Sequence, residues 1–175
     1  MKILIVIPEL SYRGGERIFY TLAKGLVQKG HKVSILAGRV RNDAFQIKRP
    51  VKLIAPPTAL NKLFQNNLLF LLLQLPYLFL SIVLNSRDVD IVHSESGLSL
   101  WASILAGKIK RVGVVWMIFA FETRPFRNSF VNNLFTLTLR KVDKFFAVRA
   151  GGYTCIAPRI PKAVGKLYGI RDIEV

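Results

Sequence analysis

The sequence predicts an α/β fold, a Rossmann-like parallel sheet with helices on both faces. Three observations predict it. Short apolar runs alternate with segments of helical period along most of the chain. The runs are continuously apolar, as in parallel strands covered on both faces. Strand–helix units of this kind join through right-handed crossovers into one sheet.

Lys2–Ile7 is the first strand, and a loop carrying Gly14 and Gly15 follows it. Glu16 to Lys29 reads as a helix, because Ile18, Leu22 and Leu26 recur every four residues with Phe19, Ala23 and Val27 beside them. Gly30 ends it. Lys32–Ala37 is a second strand, and Val51–Ala55 a short third closed by Pro56 and Pro57. A long apolar helix comes next, expected to break or kink near Pro76. Val89–His93 is the fourth strand, Leu98–Ala106 a helix and Val112–Phe119 the fifth strand. Phe130–Arg140 has helical period, Lys144–Val148 reads as a sixth strand, and a short helix is expected around Ala163–Tyr168. No internal repeat or low-complexity linker divides the 175 residues, so residues 1–175 are expected to form one domain.

Twenty-six Lys and Arg oppose ten Asp and Glu, a formal charge of +16. Such an excess favours an anionic partner. Nucleic acid, an anionic membrane surface and phosphorylated substrates qualify by sign alone. No basic helix with interleaved aromatics and no nucleic-acid-reading motif is present, so no nucleic-acid partner is expected. One cysteine, Cys155, excludes a disulfide framework and a thiolate metal site. The opening apolar run ends at Pro8 and is too short for a signal-peptide core.

Leu63 to Ser86 carries no charge. As a helix, its densest part, Leu68–Leu84, extends about 25 Å, short of the roughly 30 Å hydrocarbon core of a bilayer. It reads as a helix packed on the sheet, a helix dipped into a membrane interface, or a span. A span would put the strands before and after it on opposite sides of the bilayer, although the pattern places them in one sheet. An interfacial helix and a basic surface together would hold the chain on an anionic membrane.

Ligands of such sheets bind beyond the carboxyl ends of the strands. The candidate site loops there are Pro8–Gly15, Gly38–Asn42, His93–Gly97, Met117–Arg127 and Val148–Gly152. Gly14 and Gly15 permit close backbone approach, and amides at a helix start suit a phosphate or carboxylate, although a tight turn without a ligand reads the same way. His93 closes the fourth strand next to Ser94 and Glu95, where a substrate hydroxyl can meet a proton acceptor. Glu122 and Arg124, with Arg127, are placed to clamp a phosphate or sugar, or to pair with each other in a solvated loop. Glu9 and Glu16 are candidate paired carboxylates at no fixed separation, and glycosidase chemistry has no support. His31 is structural, and it and His93 make no metal motif.

Taken in order, Lys2–Pro8, Gly14-Gly15-Glu16-Arg17, Leu22-Ala23, Leu26 and Gly30-His31-Lys32-Val33 resemble the opening of glycosyltransferase family 4. That opening is an apolar strand, G-G-A-E-R, a helix with L-A, and G-H-x-V. Asp90-Ile91-Val92-His93 is similar to the family's D-V-V-H strand end, and Val142–Val148 to its later A-D-x-V-I-x-V-S strand. The family's Ala after the glycines is missing, its His after the fifth strand has no counterpart in Trp116–Arg127, and Arg149 stands where it has Ser.

The resemblance implies the amino-terminal, acceptor-side half of a GT-B glycosyltransferase. In that family a second domain carries most nucleotide-sugar contacts, including an acidic E-x7-E element. That donor-binding, carboxyl-terminal domain is expected to lie outside residues 1–175, so the chain alone is expected not to turn over. The implied reaction moves a sugar from a nucleotide-sugar to a glycan or lipid-linked acceptor with the anomer retained and no obligatory metal or other cofactor, as in cell-surface polysaccharide synthesis. His93 and Glu122 are the expected catalytic residues. Gly14, Gly15, Glu16, Glu95 and Arg124 are the expected substrate contacts. Charge and the apolar helix add an expected place: cytoplasmic, peripheral on the inner face of the cell membrane. The alternative is a non-catalytic module docking on anionic membrane or glycan.

Overall fold

The computed structural model describes residues 1–12, 14–95, 97–118, 141–155, 164, 165 and 168. Its strands are β1 (Lys2–Leu10), β2 (Lys32–Val40), β3 (Lys52–Ile54), β4 (Ile91–Ser94), β5 (Gly113–Ile118) and β6 (Gly152–Cys155). They form one sheet in the order β3-β2-β1-β4-β5-β6, and every pairing is parallel. The helices are α1 (Gly14–Gln28), α2 (Thr58–Leu63), α3 (Asn67–Asn85) and α4 (Leu98–Lys110). Residues 141–147 are also helical.

The alternation of side chains along β1 divides the core in two. Ile3, Ile5 and Ile7 pack with Phe19 and Ala23 of α1 on one face. Leu4 and Val6 pack with Leu78 and Ile82 of α3 and Leu100 of α4 on the other. Helices therefore cover both faces of the sheet, as the continuous apolar runs require. The order reverses between β1 and β4, so the loops after these two strands leave in opposite directions and open a crevice between them.

β1 and β2 run past Ile7 and Ala37, because backbone pairing continues through Glu9↔Arg39 and Leu10↔Val40. Gly38 makes this extension possible: a Cβ there would lie 2.3 Å from the Pro8 carbonyl oxygen. α1 ends at Gly30, whose φ of 84° allows the amide of His31 to reach the Leu26 carbonyl. α3 starts at Asn66, whose side-chain oxygen accepts from the amides of Leu68 and Leu69.

The expected break at Pro76 and the expected strand Lys144–Val148 are both absent. α3 runs unbroken through Pro76, with Phe70, Gln74, Leu78 and Ile82 buried at four-residue spacing. That stripe is anchored on the sheet and α4 along its length, which offsets the one backbone hydrogen bond that proline removes. Lys144–Val148 is not a strand, since 141–147 is helical and the sixth strand is Gly152–Cys155. The reason is local packing. Asp143, Phe146 and Ala147 share a helical face: Asp143 accepts from the Trp101 indole at 2.6 Å, Phe146 stacks on that ring, and Ala147 is buried. Arg149 consequently does not close a strand. The expected helix Phe130–Arg140 lies outside the described residues, as does most of Ala163–Tyr168, of which 164, 165 and 168 are helical.

Candidate functional site

Beyond the carboxyl ends of β1 and β4 the structure assembles four of the polar side chains singled out in sequence or adjoining them. Ser11, just past β1, donates its hydroxyl to Glu16 at 2.8 Å, and both are buried. Glu16 sits in the first turn of α1, where a negative charge is stabilised by the exposed amides of the helix start. Glu95 follows β4, and its amide donates to the Val6 carbonyl, which fixes it against β1. Burial, with the nearby charges of Glu16 and then Glu9, pushes the Glu95 carboxyl up to about 7. Glu9 closes β1 and is paired with Arg39 of β2 at 2.6 Å.

Gly14 and Gly15 are the first two residues of α1 rather than a loop before it. Beyond its chain neighbours and the helix's own backbone, a Cβ on either would meet nothing among the described residues within 4 Å. The protein's own packing therefore does not demand glycine at these positions. An open, side-chain-free helix start beside two carboxylates leaves room for a ligand to approach the backbone.

His93 lies deeper. Its ring is 9% exposed and is met edge-on by Phe19 at 6.0 Å. Nε2 is 3.4 Å from the Thr154 hydroxyl of β6, and Nδ1 is buried with no hydrogen-bond partner among the described residues. Burial drives the imidazole down to about 4, so it is neutral at physiological pH. Glu95, two residues on, lies toward the crevice, while Ser94 turns to the opposite face and accepts from Ser103 of α4 at 3.1 Å. Gly97, with φ of 68°, starts α4, a conformation open to glycine at little cost.

The structure thus brings together Gly14, Gly15, Glu16 and Glu95, with His93 behind them. Glu122 and Arg124 lie outside the described residues. Sequence reading missed Ser11, Arg39 and Thr154. The signal for Arg39 was available in principle, because parallel pairing of two strands starting at Lys2 and Lys32 sets residue 9 against residue 39. Among the described residues no group of three or more His, Cys, Asp or Glu is placed to hold a metal ion. Chemically, the cluster sets the Glu16 carboxylate and a Glu95 carboxyl that changes charge near pH 7 beside the donor amides of the α1 start. Carboxylates at this density favour the hydroxyls of a sugar over a bare phosphate, which they would repel.

A family model for Glycosyltransferase Family 4 matches residues 12–175. No curated protein matches the sequence. Among solved structures, sucrose-phosphate synthase from Thermosynechococcus elongatus superposes with a TM-score of 0.69 at 12% identity, over 99% of this chain and 47% of that one. Anabaena Alr3699/HepE in complex with UDP-glucose gives 0.64 at 16% identity, over 99% and 43%. A glycosyltransferase from Rickettsia africae ESF-5 gives 0.62 at 17% identity, over 98% and 41%. These likenesses establish the fold, and the chain spans about half the length of these structures or less.

Proposed function

The chain belongs to glycosyltransferase family 4, and from that premise we propose that it is the acceptor-side half of a membrane-associated, retaining glycosyltransferase. The observation that carries this reading is the open glycine start of α1 lying beside Glu16 and Glu95 at the β1/β4 crevice. Sugar transfer needs a place where an acceptor hydroxyl is held against the donor's anomeric carbon. Glu95 and Glu16 accept from such hydroxyls. Gly14 and Gly15 let the sugar lie against backbone amides. His93 acts from behind as a neutral imidazole, and Glu122 and Arg124 complete the proposed set.

A nucleotide-sugar is the proposed donor, and the UDP-glucose named with HepE supports that class. Its diphosphate would be held mainly by a second, donor-binding domain, because the described residues near Gly14 supply carboxylates. On this reading residues 1–175 form one amino-terminal domain that does not turn over alone. The acceptor is proposed to be lipid-linked or a growing glycan, met at the inner face of the cell membrane, where polysaccharide for the cell surface is assembled.

The open apolar side of α3 favours a second reading, a non-catalytic module docking on a membrane or glycan. One assay separates the two: transfer from labelled UDP-sugars into lipid and glycan extracts, by the chain alone and with a family donor-binding domain supplied. The enzyme reading expects transfer only in the second case. Binding to extracts with no transfer in either case leaves the docking module, and transfer by the chain alone removes the need for a second domain.

A further inference from the structure

The face of the domain remote from α1 carries two features that meet at one residue. The first is an apolar groove of about 420 Å³ between α3 and α4, lined by Leu75, Pro76, Phe79, Leu105 and Ile109, with Lys108 at its edge. The second is a hollow at the amino ends of β5 and β6, lined by Lys108, Arg111 and Arg149 with the glycines 107, 113 and 151; the Arg149 guanidinium lies over the Phe145 ring and donates to that residue's carbonyl. Lys108 lines both. Its stem can lie along the groove while its ammonium points into the hollow.

Neither feature serves the crevice beyond β1 and β4, which lies at the opposite, carboxyl edge of the sheet. Apolar exposure continues along α3 on either side of the groove. Leu72 is 63% exposed and Leu84 is 78% exposed. The helix is long and apolar enough to cross a membrane, but β1 before it and β4 after it pair in the same sheet, and its buried stripe packs on that sheet. Its apolar side therefore faces outward from a folded domain and does not cross a bilayer.

We propose that the α3–α4 groove and the adjoining hollow form a docking site for an anionic phospholipid bilayer, with an acyl chain along Leu75, Phe79 and Ile109 and a lipid phosphate at Lys108, Arg111 and Arg149. The argument is charge complementarity joined to apolar contact. A +16 chain meets an anionic leaflet favourably, and each basic residue near that surface adds to the attraction. An apolar groove without the cations would bind neutral and anionic lipid alike. Cations without the groove would bind in a way that salt abolishes. The pair predicts anionic selectivity with a salt-resistant remainder. The site deepens the membrane part of the function proposed above and rests on it. It also sets an orientation: the bilayer lies along α3 and α4, so the crevice end of α3 stays at the membrane surface, where a lipid-linked acceptor is reached.

The test is flotation of the full chain with vesicles of phosphatidylcholine alone or mixed with phosphatidylglycerol. Wild type is expected to float with the mixed vesicles and partly at high salt. Lys108→Glu combined with Arg111→Glu is expected to weaken that binding at least about tenfold. A folded double variant that floats like wild type overturns the site while leaving membrane association intact. Failure of wild type to float with any vesicle overturns both. A second measurement avoids charge reversal. Cys155, the one cysteine, is buried, so an environment-sensitive dye placed at Ile109→Cys or Lys24→Cys labels selectively. The dye at 109 is expected to shift to the blue on mixed vesicles and the dye at 24, on the α1 side, to stay unchanged. Equal responses at both positions, or none at 109 on a chain that floats, overturn the proposal. So does a vesicle-free dimer that Ile109→Ser dissolves, which would assign the groove to a second copy of the chain.

Discussion

Glu9 and Arg39 meet at 2.6 Å where β1 and β2 end side by side, and the same guanidinium reaches two further partners. Its Nη1 donates to the Phe64 carbonyl at 3.0 Å and to the Asn67 side chain at 2.9 Å, and its plane lies 4.1 Å from the centre of the Phe70 ring. One side chain thus ties the crevice edge to the start of α3. Arg39→Met would leave Glu9 and the Phe64 carbonyl without their main donor in a poorly solvated place. The expected loss is about 3 kcal/mol. Arg39→Lys keeps the charge but cannot fork, so an intermediate loss is expected. Urea unfolding of the three proteins checks this, and wild-type stability in Arg39→Met would show the cluster to be idle.

His93 and Glu95 should oppose each other in the pH dependence of stability. Burial holds the His93 imidazole at about 4, below its unfolded value, so its contribution is complete above about pH 6.5 and is lost as the pH falls toward 4. Glu95 is raised to about 7, first by burial and then by Glu16 and Glu9. Its contribution is complete below about pH 4.5 and is lost as the pH rises to 7. Relative to wild type, Glu95→Gln should therefore gain stability on going from pH 4 to pH 8, on the order of 2 kcal/mol after solvent screening. His93→Gln should gain relative stability in the opposite direction, from pH 7 down to pH 4. Thermal melts across that range decide it. Parallel curves for all three proteins would mean that neither group is perturbed.

Gly38 is fixed by the backbone of its neighbour strand. A methyl group there would stand 2.3 Å from the Pro8 carbonyl oxygen and 3.3 Å from the carbonyl carbon. Both atoms belong to a stretch of β1 held to β2 by the Ile7↔Ala37 and Glu9↔Arg39 pairs on either side, so neither moves alone. Gly38→Ala is expected to destabilise by about 3 kcal/mol or to prevent folding, whereas Gly25→Ala, in open space within α1, should be neutral or stabilising by up to about 1 kcal/mol. Chemical denaturation of the pair checks the contrast, and equal stability of the two variants would refute it.

The parallel sheet was legible because its central strands are continuous apolar runs: Lys2–Ile7 and Lys32–Ala37 need only local sequence to be recognised. Phe145-Phe146-Ala147-Val148 shows where that signal runs out. Four apolar residues in a row suit a buried strand or a helix end equally, and length is the only arbiter in sequence. The decision came from Trp101 of α4, whose indole N–H and ring face are taken by Asp143, forty-two residues on, and by Phe146 one turn later. The site divides the same way. Glu16, His93 and Glu95 lie at the ends of the elements that strand–loop–helix reasoning assigned them, whereas Gly14 and Gly15 open α1 instead of preceding it. What sequence could not supply was depth: that Phe19 covers His93, that Ser11 engages Glu16, and that Glu9 is occupied by Arg39 rather than paired with Glu16. Those depend on strand register and helix rotation, which are tertiary quantities.

Gly15 separates the needs of folding from those of the ligand. A Cβ there meets no other part of the described residues within 4 Å, and the residue lies in an ordinary helical turn. Gly15→Val should thus melt within about 1 kcal/mol of wild type, since the modest helix preference of valine over glycine is the only term that changes. In the proposed transferase, the space a valine fills is the space through which the sugar approaches the α1 amides. Transfer by the chain supplied with a donor-binding domain should fall by at least tenfold, with the loss in kcat as well as KM because positioning at the reacting carbon is affected. Gly14→Ala, adding a single carbon one residue earlier, should lose less. Unchanged transfer in a folded Gly15→Val protein would remove the glycine start of α1 from the site, and with it the observation on which the acceptor-side reading stands.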